Sequence, residues 1–71
     1  MADNVYSVTE IVGSSQTSIE DAIRNAISTA SESIRNLEWF EVIETRGHVA
    51  DGNVAHFQVA LKIGFRYDRK K

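Results

Sequence analysis

The chain has no cysteine and no proline, a single tryptophan, and four glycines in 71 residues. The missing cysteines exclude disulfides and thiolate metal sites. With no proline and no low-complexity segment, nothing marks a linker, and the chain reads as one domain over residues 1–71. No apolar run approaches the ~20 residues of a membrane helix. The start, Met1-Ala2-Asp3-Asn4, has neither a basic nor an apolar leader region. A cytoplasmic protein without membrane contact is therefore expected. The formal net charge is -2, so the broad basic face of a general nucleic-acid binder is lacking too. Basic residues cluster only in the tail Arg66-Tyr67-Asp68-Arg69-Lys70-Lys71, which reads as a solvated terminus. There is no P-loop, no G-x-G-x-x-G and no nucleophile-base-acid set, which disfavours an enzyme. A domain of this size buries only about 60% of the surface its unfolded chain exposes. With no disulfide or metal to compensate, self-association is the remaining support.

What is present divides into three strands and one helix. Val5 to Val12 is rich in β-branched residues and reads as a first strand, closed by the turn formers Gly13-Ser14-Ser15-Gln16. Thr17 is a good N-cap, and Glu20 three residues later completes a capping box. Apolar residues then recur at Ile19, Ala22, Ile23, Ala26, Ile27, Ala30, Ile34 and Leu37, a stripe at helical period. Its many alanines imply a close approach to whatever it covers. Glu38 to Val49 and Asn53 to Tyr67 read as two long strands joined by Asp51-Gly52, a pair suited to a type I′ turn. The last strand alternates. Ala55, Phe57, Val59, Leu61, Ile63, Phe65 and Tyr67 face the helix, while His56, Gln58, Ala60, Lys62, Gly64 and Arg66 face away.

That turn predicts a register. Phe40 falls opposite Ile63, Glu41 opposite Lys62, Trp39 opposite Gly64 and Thr45 opposite Gln58, unless a bulge shifts part of the ladder. Trp39, Glu41, Ile43, Thr45, Gln58 and Lys62 then share the face away from the helix, which no element of the chain covers. Glu44, Arg46 and His48 extend the helix side beyond the reach of one helix. Both features point to further copies of the chain completing the structure.

Trp39 has three readings: a core residue at the helix–strand corner, an anchor in a subunit interface, or a stacking platform for a planar ligand. Gln58 is either a solvent-facing strand residue or an amide that meets the edge of a heterocycle, since it both donates and accepts. Arg46 and Arg66 are solvated cations or phosphate contacts. His48 and His56 lack a third ligand in a recognisable pattern, so no metal is assigned.

Several segments together resemble the dodecins, small flavin-binding proteins that assemble as hollow dodecamers. They are Glu10-Ile11-Val12-Gly13-Ser14-Ser15, Leu37-Glu38-Trp39-Phe40-Glu41-Val42, Arg46-Gly47-His48, Val54-Ala55-His56-Phe57-Gln58-Val59 and Lys62-Ile63-Gly64-Phe65. The last three have the wording of the bacterial branch. The resemblance implies an α+β fold, β-α-β-β, in which a three-stranded antiparallel sheet wraps around one helix. It also implies a homododecamer that binds flavins in pairs at subunit contacts, stacked between tryptophans of symmetry-related copies. Trp39 matches that tryptophan and Gln58 the glutamine that bonds the polar edge of the ring. Arg46 matches a pocket-lining arginine of the bacterial branch, and Arg66 a second basic position. The implied ligand is FMN, with riboflavin and FAD as alternatives. Coenzyme A is implied as a second ligand of some members, near Tyr6 and the basic strand ends.

In the predicted register Trp39 and Gln58 share a face but stand about 20 Å apart along the hairpin. One flavin ring does not span that distance, so the two contacts are expected from different chains. Three functions stay open: storage, buffering and photoprotection of FMN without turnover; a structural module that oligomerises without flavin; and a flavoenzyme, which would need a substrate space beside the ring.

Overall fold

The structure, a computed structural model, describes residues 3–68. The leading Met1-Ala2 and the tail cations Arg69, Lys70 and Lys71 lie outside the described residues. The element order is β1 (Tyr6–Ser15), α1 (Ile19–Ser31), β2 (Leu37–Ala50) and β3 (Asn53–Arg66). All pairing is antiparallel, in the order β1-β3-β2, so β3 is central. This is the expected β-α-β-β arrangement.

The first strand runs further than its composition implies. Gly13, Ser14 and Ser15 pair with Val59, Gln58 and Phe57 instead of turning. Gly13 serves close approach. A Cβ there would lie 2.7 Å from the Ala26 Cβ and closer still to the Ala22 carbonyl oxygen. The helix therefore settles directly on β1, as its alanines imply. Ala22 and Ala26 join Val59 and Leu61 in the buried core, with Ile11, Ile23 and Ile27 packed against it.

The helix is capped one residue later than expected, at Ser18, whose Oγ accepts from the Asp21 backbone N–H at 3.0 Å. Thr17 is instead held by its own N–H, which donates to Ser15 Oγ at 2.9 Å. Ser15 Oγ in turn donates to Asp21 Oδ2 at 3.1 Å. Two overlapping boxes exist in the sequence, and the buried Ser15 selects the second. The helix also ends earlier, at Ser31, before Ile34 and Leu37. Serines compete with the helical backbone for hydrogen bonds, and Ile34 N–H closes a last turn on Ala30 at 2.9 Å. Asn36 then takes a left-handed conformation, φ 63°. Its Nδ2 donates to Arg66 O at 3.1 Å, which ties the start of β2 to the end of β3.

The hairpin turn has Asp51 and Gly52 at φ 52° and 75°, as a type I′ turn requires. From Trp39 to Val42 the register is the expected one. Beyond Val42 a bulge at Ile43 shifts it, and a second irregularity near the turn restores it. Arg46, not Thr45, therefore faces Gln58, and His48 faces His56. The physical reason is burial. In the unshifted register Glu44, Arg46 and His48 would point to the side of Val59 and Phe57, and the bulge turns them outward. The expectation that they extend the helix side is corrected accordingly.

The chain is 57 Å long and only 14 Å thick, with a radius of gyration of 14.9 Å. A compact domain of this length has about 11 Å.

Candidate functional site

The outward face of the sheet carries all four residues singled out from the sequence. Outwardness follows from pairing. Val59, Leu61 and Ile63 of β3 are fully buried on the helix side, so Gln58, Gly64 and Arg66 point the other way. Trp39 pairs with Gly64 and Arg46 with Gln58.

Trp39 is 39% exposed, and this settles it as an outward residue, not part of the core. Its indole lies across the backbone of Gly64. A Cβ on that glycine would come within 2.7 Å of indole Cδ2 and closer still to Cε2 and Cζ2. The expectation that no element covers this face needs one correction. Tyr6 reaches over from β1 and meets the indole edge-on, centroids 6.2 Å apart at 60°. Such pairs add roughly 0.5–1.5 kcal/mol beyond buried area. Tyr6 is anchored in turn, its hydroxyl donating to Glu38 Oε1 at 3.0 Å. The other oxygen, Oε2, accepts from Arg66 Nη1 in a short ion pair.

The second group lies further along the hairpin. Arg46 Nη1 donates to Gln58 Oε1 at 3.1 Å, and Arg46 Nη2 stands 3.6 Å from Glu44 Oε2. Arginine only donates. It therefore fixes which end of the Gln58 amide is the oxygen, and among the described residues no acceptor takes either N–H bond of Gln58. Beside this pair His48 and His56 stack, centroids 4.5 Å apart at 21°.

The fold thus brings Arg46 to Gln58 and Arg66 to the Trp39 cluster, and keeps the two clusters apart. Gly64 to Gln58 is six residues of one strand, about 20 Å. The pairing of Trp39 with Gly64 is the one the turn predicted, whereas sequence reasoning missed Glu38 and Tyr6 as surroundings of the indole. It also placed Arg46 on the wrong face. A signal for the latter exists: the apolar parity of Phe40 and Val42 fails at Glu44, which marks a one-residue slip. Among the described residues no three His, Cys, Asp or Glu side chains gather as metal ligands. No helix among them is long and apolar enough to cross a membrane.

Apolar surface remains open beyond this site. A groove of about 470 Å³ runs between α1 and β2, with Ile23, Ile27 and Phe40 on its walls. Phe40, Val42, Val8 and Val12 are 42–56% exposed. Phe40 and Val42 lie on the helix side of the sheet, opposite Ile63 and Leu61, and Val8 and Val12 on the outward side, opposite Gly64 and Ala60. Apolar surface is thus open on both faces, as surfaces that associate are.

A family model described as dodecin matches residues 5–68. A curated dodecin from Thermus thermophilus is 42% identical over 64 residues, covering 90% of this chain and 93% of that protein. The dodecin from Streptomyces davaonensis superposes with a TM-score of 0.93 at 50% identity, covering 96% of this chain and all of the other. The Streptomyces coelicolor dodecin gives 0.92 at 48% identity, covering 99% and 100%. Match and fold span nearly the whole chain and include both clusters of the outward face: the chain belongs to the dodecin family of small flavin-binding proteins.

Proposed function

We propose that this chain binds FMN without turnover, as a store and buffer that also protects the flavin from photochemistry. Paired flavins stack between the Trp39 rings of symmetry-related copies in a homododecamer. Gln58, oriented by Arg46, bonds the polar edge of each ring, and Arg66 is a second basic contact. Riboflavin and FAD fit the same stacking chemistry, and coenzyme A is a second ligand near Tyr6.

The observation that carries this reading is the Trp39 indole. It lies flat on a glycine, on a sheet face otherwise short of cover, and offers one open π-face. An electron-rich indole against a flavin also quenches the excited ring rapidly. The free N–H bonds of Gln58 suit the ring's carbonyl and nitrogen acceptors. The distance between the clusters requires that one ring take Trp39 from one copy and Gln58 from another. A clamped pair leaves no substrate space beside the ring, which speaks for storage over catalysis.

Fluorescence titration of FMN tests the reading. The wild-type protein is expected to quench the flavin, and Trp39→Ala to weaken binding and restore emission. Unchanged affinity and quenching in the variant would refute the assignment. Wild-type protein that leaves FMN bright would favour a structural module, with Trp39 serving only as an assembly anchor.

A further inference from the structure

We infer that Gly64, Tyr6 and Glu38 are positioning residues which lock the Trp39 indole into one plane before any ligand arrives. The inference rests on the flavin-platform reading for its purpose, but its geometry stands on its own. A tryptophan on an exposed strand face ordinarily has several side-chain rotamers open to it. Here three contacts converge on one. Gly64 is the floor, since any side chain at that position would occupy the space of the indole. Tyr6 is the wall, edge-on at 6.2 Å. Glu38 holds the wall in place, taking the Tyr6 hydroxyl on one oxygen and Arg66 on the other.

The backbone explains how one short segment supplies both platform and brace. Leu37 pairs with Phe65 and Trp39 with Gly64, so Glu38 is left without a partner in the ladder. This bulge lets consecutive residues project to the same face. Tyr6 pairs with Arg66 on the neighbouring strand. The Tyr6–Glu38–Arg66 chain therefore crosses all three strands and braces the indole from behind. One face of the ring lies on Gly64, and the opposite face is left for a planar ligand. Immobilising a side chain is part of what binding costs. A ring already held in place spares the ligand that cost. Arg66 acts on the platform through Glu38, in addition to any contact of its own.

The test uses the full-length chain and variants Gly64→Ala, Tyr6→Leu, Tyr6→Phe and Glu38→Ala, with the mass in solution as a check on assembly. Trp39 is the single tryptophan, so time-resolved anisotropy of its emission in the ligand-free protein reports its local motion directly. FMN affinity is measured in parallel. The expected result is a new fast depolarisation in Gly64→Ala, Tyr6→Leu and Glu38→Ala at unchanged mass, with FMN binding weakened about three- to tenfold. Tyr6→Phe keeps the ring edge and should restore most of what Tyr6→Leu loses. Wild-type anisotropy in Tyr6→Leu and Glu38→Ala would overturn the inference, even if Gly64→Ala fails to assemble. If wild-type protein does not bind FMN, the flavin reading fails, and the anisotropy still decides whether the ring is braced.

Discussion

At the scale of the residue, the pair Arg46–Gln58 has the most specific chemistry on the outward face. A guanidinium can only donate, so its bond to Gln58 Oε1 assigns the amide and directs both N–H bonds outward. Removing Arg46 leaves Gln58 in place but free to rotate. Arg46→Ala should therefore weaken FMN binding by roughly fivefold, the equivalent of one net hydrogen bond of ~1 kcal/mol. It should leave the quenching of flavin that does bind unchanged, because the proposed function assigns quenching to Trp39. Flavin titration followed by residual fluorescence at saturation separates the two effects. Both residues were legible in the sequence as types, since Gln58 is polar in a strand-like run. Their contact was not, because it depends on the bulge at Ile43, and a one-residue slip reverses every side chain beyond it. The turn register already set Gly64 opposite Trp39, and the ladder has that pair. A glycine in a strand signals that something approaches closely, and the fold shows that the indole itself fills that space.

At the scale of the element, the sequence announced a helix and a hairpin clearly, and it misplaced their ends. The helical stripe from Ala22 to Ile27 packs as its period implies, while Ile19 at the first turn stays exposed. Its ends are settled by groups outside it. Ser15, held in β1 by pairing with Phe57, reaches Asp21 and the N–H groups of Thr17 and Ser18. That contact moves the cap to Ser18. Ser18→Ala should accordingly lower stability by about 1 kcal/mol, the usual loss for a capping side chain. Thr17→Ala, in which no cap is lost, should change it much less. Urea unfolding of both variants at one protein concentration checks the difference, since stability of an oligomer depends on concentration. Equal losses would return the cap to Thr17. Past Ser31 the apolar period continues in the sequence to Leu37, but the left-handed Asn36 diverts Leu37 into β2. Local pattern alone does not report that change of direction.

At the scale of the whole molecule, one chain is an incomplete structure. It is longer and thinner than a compact domain of its length, and its α1–β2 groove is open and apolar. The expectation of further copies rests on small size, absent cysteine and a sheet face with little cover. The shape of the surfaces left open was not legible, because it depends on the bulge and on the helix leaning toward β1. The two clusters of the outward face stand about 20 Å apart on one chain, so under the proposed function a flavin that touches both lies between copies. The most direct test mixes Trp39→Ala and Gln58→Ala chains, unfolds and reassembles them together, and titrates the product with FMN. Each variant alone should bind poorly. If the contacts come from different copies, some mixed sites combine an intact Trp39 with an intact Gln58, and tight, quenched FMN binding should return to that fraction. Mixed assemblies that bind no better than the two variants alone would contradict the account, because they would place both contacts within one chain.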